Sequence, residues 1–119
     1  MVVPLLAVVL AAVGFSPPVV AASINVTELG LAVPDLLILD IDGLDTDPLE
    51  LLRRLRFVLP GCTIAVYSGT VTQAWALACH LAGANCMLSK NSEEAQLILG
   101  LREATSTGCF TDPAFAATP

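Results

Sequence analysis

Pro34-Asp35-Leu36-Leu37-Ile38-Leu39-Asp40-Ile41-Asp42-Gly43 is the stretch on which the fold turns. Its apolar run is unbroken and ends in a carboxylate. A strand with no polar face has to be buried on both sides, the condition of a parallel sheet flanked by helices. Two later runs have the same form. Cys62-Thr63-Ile64-Ala65-Val66-Tyr67-Ser68 ends in a hydroxyl, and Asn85-Cys86-Met87-Leu88-Ser89-Lys90 ends in an ammonium. Val19 to Ala22, after Pro17-Pro18, is a candidate for a fourth strand.

Helical patterns lie between these runs. Asp47 precedes Pro48 and is followed three residues on by Glu50, which combines an N-cap, a first-turn proline and a capping acid. Leu51, Leu52 and Leu55 then form an apolar stripe, and Pro60-Gly61 stops the helix. Thr70 or Thr72 opens a second helix in which Val71, Trp75, Ala78 and Ala82 share a face, with Gly83 placed to end it. Ser92 is the expected cap of a third, with Glu93 and Glu94 in its first turn and Arg102 near its end. Strand and helix in alternation predict a doubly wound α/β sheet of the flavodoxin-like kind. The segment 105–119, rich in Thr, Ala and Pro, reads as a C-terminal linker or tail after one domain over 1–104.

The bulk properties exclude several function classes. The 119 residues are 55% hydrophobic and 13% charged, with a net charge of −6, which is the wrong surface for nucleic acid. Of the five basic residues, Arg53, Arg54 and Arg56 crowd one segment and read as a solvated helix face. Cys62, Cys79, Cys86 and Cys109 form no CxxC pair, and with a lone His80 they give no zinc pattern. They read as buried free thiols in a reducing compartment, with His80 in solvent on the face of Gln73. Leu5 to Phe15 is apolar and Ala21-Ala22-Ser23 resembles a signal-peptidase site, but no Lys or Arg precedes them. The run is also shorter than the roughly 20 residues of a membrane span. A cytoplasmic protein that meets no membrane is the expectation.

Asp40, Ser68 and Lys90 each end an apolar strand at its carboxyl end, and in an open parallel sheet those ends face one crevice. A carboxylate, a hydroxyl and an ammonium converging there make a phosphoryl-accepting site. The carboxylate attacks phosphorus, the hydroxyl donates to a phosphoryl oxygen, and the ammonium offsets charge on the transferred group.

These residues resemble the receiver domains of two-component response regulators, particularly the NarL/FixJ type. Pro34 to Ile41 is similar to that family's phosphoacceptor strand, Ala65-Val66-Tyr67-Ser68-Gly69 to its hydroxyl-bearing strand, and Ala82 to Asn91 to its lysine strand with the preceding turn. Ser68 follows Asp40 by 28 residues and Lys90 follows Ser68 by 22, which fits the family's spacing. The resemblance implies phosphotransfer signalling, not an enzyme, with Asp40 as phosphoacceptor, Ser68 and Lys90 as its helpers, and a histidine kinase or phosphotransfer protein as partner. It further implies Mg²⁺ held by Asp40 and Asp42.

The departures point to a weakened site. No Asp or Glu precedes Glu28, so the family's acidic pair after its first strand is missing, and Val2 to Phe15 reads like its first helix instead. Met87 stands at the aromatic switch position, and the residues after Asp40-Ile41 run Asp42-Gly43-Leu44-Asp45 without the family's usual proline. Weak Mg²⁺ binding and slow phosphorylation are therefore expected, with Asp42 or Asp45 as substitute ligands. The first strand would lie mid-sheet beside that of Asp40, so Met1 to Val9 or a second copy in a homodimer should fill its place. One alternative is a degenerate receiver that binds protein partners through residues 71–90 without phosphorylation. Another is a phosphatase, since Asp40-Ile41-Asp42-Gly43 also resembles the haloacid-dehalogenase DxDG motif, with Asp40 as nucleophile and Asp42 as acid/base.

Overall fold

The computed structural model describes residues 35–42, 44 and 46–116. The helix expected over Val2 to Phe15, the strand over Val19 to Ala22, the placement of Met1 to Val9 and the role of Asp45 all lie outside the described residues. Within them the elements run β1 (Leu36–Asp40), α1 (Pro48–Val58), β2 (Thr63–Ser68), α2 (Gln73–Ala82), β3 (Cys86–Ser89), α3 (Glu94–Thr107), β4 (Phe110–Thr111) and a closing 3₁₀ turn (Pro113–Ala116). The described strands form one sheet in the order β1-β2-β3-β4, with every neighbouring pair parallel.

The two faces of the sheet bury different side chains. Leu39, Ile41, Ile64, Val66 and Met87 pack with Leu51, Leu52 and Leu55 of α1 and Ala76, Cys79 and Ala82 of α2. On the other face, Ala65, Tyr67, Cys86 and Leu88 pack with Leu97, Leu101 and Ala104 of α3. This is the doubly wound α/β architecture expected, with helices on both sides of a parallel sheet. Gly100 lets α3 settle closely, because a Cβ there would lie 2.6 Å from the Phe110 ring and 2.9 Å from Leu88.

Local signals account for the helix boundaries. The Asp47 side chain accepts the Leu49 N–H at 3.1 Å, and Pro48 fills the first turn of α1. Thr72, not Thr70, caps α2 by accepting the Trp75 N–H at 3.1 Å. The buried stripe of α2 is Ala76, Cys79 and Ala82, one position round from the expected face, and of the expected residues Val71 and Trp75 are only partly covered. At the start of α3 the cap position is Glu93, without a side-chain bond, because the Ser92 hydroxyl donates instead to Asp112 Oδ2 at 2.6 Å.

Over residues 105–116 the structure differs from the expected linker or tail. The helix α3 runs on to Thr107 and closes on Gly108 with φ at +90°. The chain then pairs Phe110 and Thr111 with Cys86 and Met87, and the turn that follows drives Phe115 into the core at 1% exposure. Two aromatic residues and a buried Asp112 outweigh the tail's small, polar composition. His80 is also not simply solvated: Nδ1 donates to the Ala84 carbonyl at 2.9 Å and Nε2 meets the Thr111 hydroxyl at 2.7 Å. The cysteines stand as expected for Cys62, Cys79 and Cys86, which are buried, while Cys109 is exposed. Burial pushes the Cys62 thiol up to about 11 and those of Cys79 and Cys86 up to about 12, away from thiolate chemistry.

Candidate functional site

Register and alternation together decide which side chains meet at the carboxyl edge of the sheet. Asp40 stands opposite Tyr67, and Ser68 opposite Ser89. The ladder continues one residue past the strands, with Ile41 N–H donating to Tyr67 O at 3.2 Å and Lys90 N–H to Ser68 O at 2.9 Å. Successive strand side chains point to opposite faces. Asp40 continues the parity of Leu36 and Ile38, and Lys90 that of Cys86 and Leu88, all on the α3 side together with Tyr67. Ser68 continues the parity of Ile64 and Val66, on the side of α1 and α2.

Lys90 is the centre of the cluster that results. Its Nζ lies 2.7 Å from Asp40 Oδ1 and 2.9 Å from Asp42 Oδ2, and 5.6 Å from the centre of the Tyr67 ring. Asp42 Oδ2 also accepts the Gly69 N–H at 2.9 Å, while the Asp42 N–H donates to Asp40 Oδ1 at 3.1 Å. The Asp40 side chain is 37% exposed, so it is reachable from solvent although it is paired. The Ser68 hydroxyl takes no part: it donates to Thr70 O and accepts the Thr70 N–H, both at 3.0 Å, and the residue is fully buried.

The charges respond to this arrangement. Burial alone would raise the Asp42 carboxyl, but the hydrogen bond from Lys90, the Gly69 N–H and the lysine's charge together hold it below the usual carboxylate range. Burial would likewise lower the Lys90 ammonium, and its bonds to Asp40 and Asp42, with their charge, raise it above the ordinary lysine value.

Of the three strand-end residues singled out from sequence, the structure brings Asp40 and Lys90 together and turns Ser68 into its own turn. Asp42, expected as a metal ligand, joins the cluster as a partner of Lys90. The Gly69 N–H and the Tyr67 ring were not foreseen, although Tyr67 could have been found from the two-residue alternation that aligns it with Asp40 and Lys90. A divalent cation does not fit the residues described. Among them no group of three His, Cys, Asp or Glu is close enough to hold a metal ion, and the two carboxylates present are already engaged by an ammonium. Mg²⁺ prefers about six oxygens in near-octahedral order.

A parallel sheet wound on both faces, with a carboxylate and a lysine meeting at its carboxyl edge, is the form of a receiver fold. No protein-family model matches the chain, and no curated protein sequence does. Solved structures do. A LuxR-family two-component response regulator from Aurantimonas sp. SI85-9A1 superposes with a TM-score of 0.72 at 22% identity, over 87% of this chain and 76% of that one. A chain from Burkholderia thailandensis E264, described as a pilus assembly protein (cpaE), gives a TM-score of 0.69 at 22% identity, over 87% of this chain and 88% of that one. A response regulator from Burkholderia pseudomallei, with a phosphorylated aspartic acid, a calcium ion and citrate, gives 0.63 at 24% identity, over 87% of this chain and 61% of that one. At such identities the likeness is one of fold, and the fold is that of CheY-like receivers. No helix among the described residues is long and apolar enough to cross a membrane.

Proposed function

We propose that the chain is a cytoplasmic two-component receiver module in which Asp40 accepts a phosphoryl group from a histidine kinase or phosphotransfer protein, and accepts it slowly. The observation that carries this reading is the Lys90 ammonium, 2.7 Å from the Asp40 carboxylate at the carboxyl edge of the sheet. An Asp40 oxygen attacks phosphorus, the phosphorus–nitrogen bond of the donor phosphohistidine breaks, and the imidazole leaves with the electron pair. Lys90 offsets the charge on the phosphoryl oxygens, and the Ser68 hydroxyl contributes only after leaving Thr70. Slowness follows from charge. Two unit charges of like sign 4 Å apart repel by about 4 kcal/mol at an effective dielectric near 20, and one lysine faces both carboxylates and the incoming anion.

Incubation with acetyl phosphate and with a phosphorylated kinase, followed by mass spectrometry of the digest, tests the reading. A single phosphoryl adduct on Asp40, absent from Asp40→Asn, is expected. Adduct on another residue overturns the assignment.

A second reading, the interaction module that works without phosphorylation, is favoured by the Asp42–Lys90 pair, which engages the lysine without a phosphoryl group. The fold likeness to a chain described as a pilus assembly protein is compatible with it. Complete absence of adduct from every donor would select it. The phosphatase alternative gains nothing from the geometry, since the carboxylate it needs as acid/base is committed to Lys90 and Gly69.

A further inference from the structure

A phosphoryl oxygen arriving beside Asp40 needs hydrogen-bond donors, and the nearest ones are taken. A single oxygen, Asp42 Oδ2, receives both the Lys90 ammonium at 2.9 Å and the Gly69 N–H at 2.9 Å. The close approach depends on the glycine, because a Cβ at position 69 would stand 3.0 Å from that same oxygen. The ammonium is shared with Asp40, whose Oδ1 is 2.7 Å away, so the two carboxylates sit side by side on one cation. The backbone completes the arrangement, with the Asp42 N–H bonded to Asp40 Oδ1 at 3.1 Å. An oxyanion gripped by an ammonium and a backbone amide, next to the acceptor carboxylate, is what a transferred phosphoryl group would look like to these donors.

We infer that Asp42 is a built-in surrogate for the phosphoryl oxygens: its Oδ2 fills the anion site made by Lys90 Nζ and Gly69 N–H, and it must leave before a tetrahedral oxyanion can bind there. This rests on the reading of Asp40 above and adds a regulatory step to it. An anion tethered within the same chain competes at an effective concentration in the millimolar range or higher, so free phosphate at lower concentration does not displace it. Removing Asp42 also removes a like charge from the path of the incoming dianion. The crevice therefore has two states, one filled by its own carboxylate and one filled by a phosphoryl group, with the same donors used in both.

The test is a titration of inorganic phosphate into the ¹⁵N-labelled chain, wild type and Asp42→Ala, following the Gly69 amide. With no phosphate added, the Gly69 amide should already differ between the two proteins, because its acceptor is gone in the variant. Asp42→Ala should bind phosphate about tenfold more tightly than wild type, with saturable movement of Gly69, and Asp42→Asn should fall between. Equal affinity in wild type and Asp42→Ala, or a Gly69 amide that is indifferent to the substitution, overturns the inference. Acetyl phosphate then separates the two readings. Asp40 in Asp42→Ala should be labelled about tenfold faster than in wild type. Tighter phosphate binding with no label on Asp40 would leave the surrogate standing and remove the phosphoacceptor reading.

Discussion

The two ends of the sheet each turn on one cation, and the contrast shows how one fold separates support from function. At the carboxyl edge, Lys90 holds two carboxylates, all three side chains being partly exposed. At the opposite end, Arg56 holds neutral acceptors. Its Nε and Nη2 donate to Gly83 O at 3.0 and 2.8 Å, and Nη1 donates to the carbonyls of Leu59, Pro60 and Cys62 at 3.0, 3.2 and 2.8 Å. Nη2 also reaches Asn85 Oδ1, which accepts the Ile64 N–H in turn, while Asn85 Nδ2 donates to Gly108 O at 3.2 Å. The planar guanidinium spreads its donors over chain ends that need acceptors satisfied, tying the end of α1 to the turns before β2 and β3. A compact ammonium between two anions can exchange one partner for another. The guanidinium braces the fold, and the ammonium is the one placed to change partners.

That contrast gives a ranked set of outcomes. Arg56→Ala leaves several carbonyls and the Asn85 side chain short of donors, and should lower the free energy of unfolding by about 3 kcal/mol in a urea titration. Gly83→Ala should cost about 2 kcal/mol by the same measurement. Position 83 has φ at +124°, and a new Cβ would stand 2.7 Å from Arg56 Cβ. Lys90→Met should change stability by less than about 1 kcal/mol, because a partly exposed ion pair contributes little. It should nevertheless abolish phosphoryl transfer to Asp40. A loss of stability as large as that of Arg56→Ala would mean that Lys90 too is a structural brace.

The smallest effect is on the pH dependence of stability. Asp42 is held below the ordinary carboxyl value of 3.8, so its contribution is present above that pH and is lost as pH falls through its folded value. Lys90 is raised above 10.5, so its contribution is present below that pH and is lost as pH rises through its folded value. The contribution of this pair should be flat between these limits and decline on both sides. It comes on top of the loss that the buried Cys62, Cys79 and Cys86 thiols, raised from 9.0, bring to thermal unfolding above that pH. Asp42→Asn should flatten the acid side and, since Asp42 is one of the two partners that raise Lys90, soften the decline on the basic side as well. Both changes should stay under about 1 kcal/mol at the site's exposure.

Much of this was legible in the amino-acid sequence, for identifiable reasons. The unbroken runs ending in Asp40, Ser68 and Lys90 fixed three parallel strands, because such runs are stable only when covered on both faces. The cap at Asp47 and Pro48 was readable because it is local. Arg56 was misread as part of a solvated face with Arg53 and Arg54: its acceptors come from residues up to 29 positions away, which no local pattern reveals. The order over 105–116 was hidden for the same reason, since Phe115 is ordered by the core it enters and not by its neighbours. At the site, Asp40 and Lys90 followed from strand ends, but the orientation of Ser68 required the alternation to be carried through all three strands. Asp42 was recognised as a member of the site and assigned to a cation. The pairing actually made, with Lys90 and the Gly69 N–H, depends on a turn geometry that the spacing alone does not determine.

The Asp42 carboxyl, caught between Lys90 and Gly69, is the point where the account is most exposed to measurement. A pH titration of a sample labelled with ¹³C and ¹⁵N, reading the Asp42 carboxyl carbon and the Gly69 amide together, tests it most directly. The account predicts one shared midpoint for the two signals, lying below 3.8. A midpoint at or above 3.8, or a Gly69 amide that does not follow the Asp42 carboxyl, would contradict it.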